Sequence, residues 1–208
     1  MSAQDKEKWD AKYEAGAFTS RPYPSVFLQD NLDSIKKALE KADIHAPWRA
    51  LDIACGAGRN SHFLSCNGFQ VDAVDISVTG LQRAAENTPA EALSINWHQH
   101  DLEHGLPTEL LGEHTGYHLI VMMRYVNLAL LRTLPDLLVP HGYLICEEHL
   151  ETDQAVSGPK SQRFRVAPGE LETHTRPLAV EHISEGLIKD PDGEAAYVAR
   201  ILAKKVTE

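Results

Sequence analysis

A short apolar run that stops at a glycine-rich turn constrains the fold of this chain more than any other feature. The run Trp48–Ala54 is followed directly by Cys55-Gly56-Ala57-Gly58. A brief apolar run that glycine ends is typical of a buried strand. Arg59 to Cys66 then fits a helix, and Asn67-Gly68 supplies its end. The pattern predicts a strand, a tight turn and a helix whose free amide groups point at the turn.

The chain up to Glu147 continues to alternate short apolar runs with helical patterns. We predict further helices over residues 24–43, 77–89 and 128–139, and further strands over 69–74, 93–99, 117–123 and 141–147. Ser77 has the side chain of an N-cap at the start of its helix. This alternation predicts an α/β fold with a Rossmann-like, doubly wound and mostly parallel sheet.

The rhythm changes after Glu148. A polar stretch leads to two strand-like runs, 178–183 and 195–204, which the turn-rich segment Lys189–Gly193 joins. We expect a C-terminal antiparallel hairpin that completes a seven-stranded sheet. With 208 residues the chain fits one domain. We divide it into a helical lead-in and possible lid over 1–45, a cofactor-binding core over 46–150 and C-terminal strands over 151–208.

Composition argues against several classes of function. The chain has 30 acidic and 20 basic residues, and a net charge of -10 disfavours nucleic acid or an anionic membrane as a partner. No run approaches the roughly 20 apolar residues of a membrane span, and no signal peptide is recognised, so we expect a cytoplasmic monomer or homodimer. The three cysteines and eleven histidines follow no metal-site or disulfide pattern. Cys55 and Cys146 are expected to be small buried packing residues.

Ligand-compatible residues follow three successive predicted strands. Ligands of doubly wound sheets lie beyond the carboxyl ends of the strands. Gly56 and Gly58 allow the backbone to approach a ligand closely, and Asp75 can accept hydrogen bonds from both hydroxyls of a ribose. Asp101 can accept one from an exocyclic amine, as on adenine. The order of these features predicts a cofactor that contains a nucleoside.

The glycine turn lacks the third glycine of a dinucleotide fingerprint, because Ser61 stands in its place. Instead, Asp52–Gly58 resembles the first motif of class I S-adenosylmethionine-dependent methyltransferases in its shortened form D-x-x-C-G-x-G. Val71–Ser77 resembles the second motif of that family, and His100-Asp101-Leu102 resembles its adenine-contacting motif. Segments similar to those of tellurite-resistance-type methyltransferases are Trp9–Tyr13, Gly58–Ser61, Met123–Asn127 and Arg163–Leu171.

The resemblance implies a binding mode for S-adenosylmethionine and for its product S-adenosylhomocysteine. The methionyl end would lie over Gly56 and Gly58, the ribose at Asp75 and the adenine near Asp101. Asp52 would orient the amino group through water. The cofactor-binding residues that the resemblance implies are Asp52, Ala54, Gly56, Gly58, Asn60, Asp75, Ile76, Asp101, Leu102 and Arg124. Within this set, Ile76 and Leu102 would sandwich the adenine ring or serve packing alone.

Residues after the fourth and fifth predicted strands are the candidates for catalysis. Arg124 and Tyr125 would face the departing methyl group, and His149 with Glu148 could supply a general base. In-line displacement from a sulfonium needs mainly alignment and exclusion of water, so a soft anion needs no base, whereas an alcohol or protonated amine does. No N/D-P-P-Y/F motif follows the fourth strand, which argues against methylation of amino groups on DNA bases or glutamine side chains.

The N-terminal segment carries the aromatic residues Trp9, Tyr13, Phe18 and Tyr23. They could fold over the cofactor as a lid, with Trp9 and Tyr13 as the lid candidates, or form the packing side of an N-terminal helix.

We therefore predict a methyltransferase that acts on a small-molecule acceptor, either a thiol, a chalcogen oxyanion or another small nucleophile. Two alternatives stay open. One is a non-catalytic module that binds S-adenosylmethionine, and the other is a nicotinamide-dependent oxidoreductase built on the same βαβ unit.

Overall fold

The computed structural model describes residues 3–16, 21–92, 94–112 and 116–206. Its helices are α1 (Ala3–Glu14), α2 (Val26–Lys41), α3 (Arg59–Cys66), α4 (Val78–Glu86), α5 (Leu128–Leu131) and α6 (Glu170–His174). Its strands are β1 (Trp48–Ile53), β2 (Phe69–Asp75), β3 (Ile95–Gln99), β4 (Tyr117–Met123), β5 (Leu138–His149), β6 (Ala179–Lys189) and β7 (Ala195–Lys204). None of the helices in these ranges is long and apolar enough to cross a membrane.

All seven strands form one sheet in the order β3-β2-β1-β4-β5-β7-β6. Strands β1 to β5 pair in parallel, whereas β7 lies antiparallel between β5 and β6. The predicted doubly wound sheet with a C-terminal antiparallel hairpin is confirmed. The strand order reverses between β1 and β4, so a crevice is expected beyond the carboxyl ends of these two strands.

Helices cover both faces of the sheet. On one face α2 presents Leu28, Leu32 and Leu39, which are fully buried and recur at the spacing of one helical face. Each such side chain contributes about 2 kcal/mol by leaving water. They pack with residues of α3 and of the central strands, whereas α5, α6 and the adjoining turns cover the opposite face. The core therefore holds the central strands rigidly, and with them the turns at their carboxyl ends.

Several local predictions are confirmed. The bounds predicted for α3 and β4 are those observed. Ser77 is the N-cap of α4, where its hydroxyl accepts a hydrogen bond from the amide of Gly80 at 3.0 Å. Cys55 and Cys146 are buried.

The helix predicted over 128–139 is wrong beyond Leu131. A 3₁₀ turn follows at Leu134–Leu137, and β5 begins at Leu138, earlier than predicted. Pro135 explains the early end, because it lacks a backbone N–H and its ring would clash with the carbonyl of the residue four positions before it. The short α6 lies between the polar stretch and the strand-like run 178–183, where no element was predicted. Phe18 and the predicted start of the third strand at Leu93 lie outside the described residues.

Candidate functional site

A cavity of about 1240 Å³ opens at the carboxyl ends of the parallel strands. Sites for one small ligand usually measure about 300–1,000 Å³, so this cavity has room for a cofactor and a second small molecule. Its wall combines the turns after β1, β2, β3 and β4 and the end of β5 with residues of α1, of the segments 21–26 and 157–164, and of the tip of the β6–β7 hairpin.

The glycine turn after β1 contributes one glycine to this wall. Gly56 has a φ of 58° and lines the cavity, and its amide donates a hydrogen bond to Asp75 Oδ2 at 2.8 Å. Gly58 has a φ of 79° and lies behind the wall. A Cβ added at Gly58 would lie 2.8 Å from both Ala84 Cβ and a ring carbon of Trp97. Gly58 is therefore required for the packing of α3 against α4 and β3.

Asp75 ends β2 and presents a carboxylate to the cavity. Its Oδ1 accepts a hydrogen bond from the amide of Ser77 and its Oδ2 accepts one from Gly56, both at 2.8 Å. Burial raises the pKa of Asp75, although these backbone donors oppose the shift. Each carboxylate oxygen keeps a second lone pair, so this group can also accept hydrogen bonds from a ligand.

Two predicted cofactor ligands, Asp52 and Asp101, lie behind the wall. Asp52 is 1% exposed and accepts a hydrogen bond from Ser61 Oγ at 2.6 Å, and burial raises its pKa to about 7. Asp101 accepts a hydrogen bond from the amide of Glu103 at 3.1 Å and so begins a 3₁₀ turn. Predicted cofactor residues that do lie on the wall are Ala54, Gly56, Asn60, Asp75, Ile76, Leu102 and Arg124.

Arg124 is the centre of a charged cluster at the other end of the cavity. Its Nε donates to Glu147 Oε1 at 2.6 Å, and its Nη2 lies 3.3 Å from Asp190 Oδ1. Glu147 Oε2 also accepts a hydrogen bond from Arg200 Nε at 2.6 Å. Arg124 has a φ of 61°. A bulky residue in this region carries about 1–3 kcal/mol of strain, a cost that proteins tolerate mostly at functional sites.

Of the predicted catalytic candidates, Tyr125 and His149 line the cavity, as Arg124 does, whereas Glu148 lies behind the wall. Burial and the adjacent arginines lower the pKa of His149 to about 3, so its ring is neutral. Its Nε2 faces Arg124 Nη1 at 3.4 Å and must accept from that donor, which places the ring proton on Nδ1. Burial raises the pKa of Glu148 well above its usual range.

The N-terminal aromatic residues Trp9 and Tyr13 lie on α1, which packs on α4 and also forms part of the wall. Asp10 Oδ1 accepts hydrogen bonds from Ser77 Oγ at 2.6 Å and from the amide of Thr79 at 3.2 Å. The predicted lid residues therefore belong to a helix that is docked against the cofactor-binding core.

Buried polar atoms without a hydrogen-bond partner cluster in this wall. Within the described ranges, five such atoms occur, and four belong to wall residues: Tyr23 Oη, Ser25 Oγ, His100 Nε2 and His149 Nδ1. Each such atom costs about 1–3 kcal/mol while it is unpaired. A polar ligand that offered partners would remove this cost, so the wall is suited to such a ligand. No local sequence motif marks Ser25 as a site residue.

The wall is basic although the chain is acidic. Nine lysine and arginine residues line the cavity against five aspartate and glutamate residues. Arg59, from the N-terminus of α3, is among them and donates to the carbonyl of Tyr23 at 3.4 Å. A cavity lined by an excess of one charge attracts ligands of the opposite charge. No group of three or more metal-ligating side chains occurs in the part of the chain that the structure describes.

Comparisons with known proteins find similar sequences and structures. Residues 28–124 match the family model described as "Tellurite resistance protein TehB". A curated relative, ribosomal RNA small subunit methyltransferase C of Alcanivorax borkumensis, is 29% identical over 94 residues, which make up 43% of this chain and 29% of that protein.

Two solved structures share the fold. TehB from Haemophilus influenzae matches with a TM-score of 0.63 at 24% identity, and the match covers 81% of this chain and 61% of the TehB chain. The magnesium protoporphyrin IX methyltransferase of Synechocystis PCC 6803, solved with bound S-adenosylhomocysteine, has a TM-score of 0.66 at 15% identity, and the match covers 98% and 99% of the two chains.

The resemblance to class I methyltransferases, including the tellurite-resistance type, is therefore confirmed in both sequence and fold. The chain spans less than a third of its curated relative and about three fifths of Haemophilus TehB, so the matches describe the shared domain.

Proposed function

We propose that this chain transfers a methyl group from S-adenosylmethionine to a small-molecule acceptor. The observation that carries the proposal is the cavity itself. Its wall contains the glycine turn, Asp75 and four buried polar atoms without a hydrogen-bond partner, and the cavity has space for two ligands. The alternative of a non-catalytic binding module uses the same cofactor site and differs only in turnover.

The residues on the wall fit the cofactor. Asp75 would accept hydrogen bonds from the ribose hydroxyls, and the backbone at Gly56 would border the methionyl end. Ile76 and Leu102 are buried apolar wall residues that suit the faces of an adenine ring. Asp101 would act from behind the wall by fixing the turn that carries Leu102. When bound, S-adenosylmethionine supplies an electrophilic methyl group on its sulfonium.

The charged end of the cavity would receive the acceptor. Arg124, Tyr125 and His149 line this end, and the segments above the sheet would exclude water from it. The excess of basic residues favours an acceptor with negative charge, such as a thiolate or an oxyanion. Such a nucleophile needs alignment with the methyl group and no general base. For an acceptor that must lose a proton, His149 is poorly suited as the base, because its pKa is about 3 and its unprotonated Nε2 already accepts a hydrogen bond from Arg124.

A small acceptor suits this protein better than a nucleic acid. The cavity is roofed by α1, by residues 21–26 and by the 157–164 segment, and the chain carries a net charge of -10. Phosphate backbones bind proteins that present basic surfaces. The match to the ribosomal RNA methyltransferase covers 94 residues, which is less than half of this chain.

Calorimetric titration with S-adenosylmethionine and S-adenosylhomocysteine tests the cofactor site. We expect both to bind, and Asp75→Ala to weaken each by about tenfold to a hundredfold, since hydrogen bonds to a charged group contribute about 1.5–3 kcal/mol each. Asp30→Ala removes an exposed aspartate of α2 and is the matched control, with unchanged affinity. Failure of both ligands to bind the wild-type protein would refute the proposal.

Turnover separates the enzyme from the binding module. Formation of S-adenosylhomocysteine is measured against a panel of thiols, inorganic selenium and tellurium oxyanions and small carboxylates. Methylation of one of these supports the proposed enzyme, whereas tight binding without turnover on the whole panel supports the binding module. A thermal-shift comparison in which NADH stabilises the protein and S-adenosylhomocysteine does not would favour the oxidoreductase.

A further inference from the structure

Asp190, at the tip of the β6–β7 hairpin, places its carboxylate in the cavity wall between two arginines. Its Oδ1 lies 3.3 Å from Arg124 Nη2, at the end of β4. Its Oδ2 lies 3.7 Å from Arg21 Nη1, in the segment that precedes α2. The side chain is 15% exposed. One carboxylate therefore connects the turn after β4 to the segment 21–26 on the opposite side of the cavity.

Both arginines have a closer partner than Asp190. Arg124 Nε lies 2.6 Å from Glu147 Oε1, and Arg21 Nε lies 2.5 Å from Asp192 Oδ2. On each guanidinium, the contact with Asp190 is the longer of the two carboxylate contacts. If Asp190 moved away, each arginine would keep one carboxylate and would turn its remaining N–H groups toward the vacated space.

The Asp190 side chain is not needed to form its own turn. The turn is closed by backbone hydrogen bonds, from the amide of Asp190 to the carbonyl of Glu194 and from the amide of Gly193 to the carbonyl of Asp190, both at 2.8 Å. Asp192 differs, since its Oδ1 accepts a hydrogen bond from the amide of Glu194. The carboxylate of Asp190 is thus free to be replaced without loss of the hairpin.

We infer that Arg21 and Arg124 form an anion-binding subsite, that Asp190 fills it in the free protein, and that a carboxylate or oxyanion group of the acceptor replaces Asp190 there. The role of the acceptor rests on the proposed function, whereas the anion subsite does not. Two guanidinium groups that approach from opposite sides would fix the orientation of a small anion. Its arrival would release the hairpin tip from Arg124, whereas the contact of Asp192 with Arg21 would hold the tip against residues 21–26.

Calorimetric titration with inorganic sulfate, at constant ionic strength, tests the subsite. We expect Asp190→Asn to bind sulfate about tenfold or more tightly than the wild type, because a competing negative charge has left. Glu194→Gln removes the same charge from an exposed side chain of the same turn and should change sulfate affinity less than threefold. In the double variant D190N/R21Q the gain should disappear.

Equal gains in the two single variants would show a nonspecific effect of net charge and would overturn the subsite. Persistence of the gain in D190N/R21Q would overturn it as well. Titration of the wild type with S-adenosylhomocysteine, run in parallel, keeps the two proposals apart. If S-adenosylhomocysteine does not bind the wild type, the proposed function is refuted. The sulfate affinities of the wild type and the variants alone decide whether the subsite exists.

Discussion

At the scale of single residues, Gly58 belongs to the motif predicted to bind the cofactor, but its contacts with neighbouring side chains indicate a role in packing. Its φ of 79° is nearly that of Gly169, at 78°, but a Cβ at Gly58 would clash with Ala84 and Trp97, whereas nothing lies within 4 Å of a Cβ at Gly169. We expect Gly169→Ala to cost about 1 kcal/mol for the left-handed backbone. Gly58→Ala should cost about 2–4 kcal/mol, because the clash adds to this strain. Urea denaturation measures both, and equal costs would contradict the packing role.

Asp52 should make the stability of the protein depend on pH. Burial raises its pKa to about 7, so the native carboxyl stays protonated between about pH 4 and pH 7 while the unfolded one does not. The stabilisation is therefore complete below pH 4 and is lost as pH rises through 7. Relative to Asp52→Asn, the wild type should lose a few kcal/mol between pH 5 and pH 8, at about 1.4 kcal/mol per pKa unit.

Asp72 is the control for this experiment. Its burial favours a raised pKa, but hydrogen bonds from Asn96, Arg49 and Tyr117 outweigh that effect and lower it. Because Asp72 is ionised in both states above pH 5, the stability difference between wild type and Asp72→Asn should stay constant from pH 5 to pH 8. Denaturation curves at both pH values give the two differences. A constant difference for Asp52→Asn would contradict its raised pKa.

At the scale of elements, the docking of α1 should control access to the cavity. Asp10→Ala removes the hydrogen bonds to Ser77 and Thr79, and we expect S-adenosylhomocysteine to dissociate about tenfold faster. Hydrogen exchange of α1 amides should accelerate even without ligand. Lys6→Ala removes only the partly exposed (i, i+4) pair of Lys6 with Asp10, keeps the hydrogen bonds from Ser77 and Thr79, and should change neither rate. Unchanged exchange in Asp10→Ala would show that these bonds do not hold the helix.

Sequence reasoning succeeded where local patterns decide the structure. The bounds of α3 and β4 follow from apolar spacing and adjacent glycine. Gly56 and Asp75 were singled out because they lie at the carboxyl ends of predicted strands, and both line the cavity. It failed over 128–139, where apolar periodicity continues through Pro135 although the helix does not. The contacts of Asp190 with Arg21 and Arg124 could not be predicted, because they join residues far apart in sequence and depend on the order of the strands.

At the scale of the whole molecule, the charge of the cavity wall is opposite in sign to the net charge of the chain. The chain has a net charge of -10, yet basic residues outnumber acidic ones in the cavity wall. An acidic exterior repels polyanions, while a basic interior surface attracts small anions that fit inside it. Net charge alone therefore predicts which macromolecules the protein avoids. It does not predict the charge of the ligand, which depends on the few residues that the fold brings together.

The position of β7 has a consequence for synthesis on the ribosome. This strand is the last of the seven to be made, yet it lies inside the sheet, between β5 and β6. Until it emerges, the nascent chain presents β5 as an open, apolar edge, the kind of surface that promotes pairing between neighbouring chains. Arg200 and the neighbouring end of the cavity arrive with the same strand. The addition of β7 therefore covers the open edge of β5 and completes the basic wall of the cavity in the same late step.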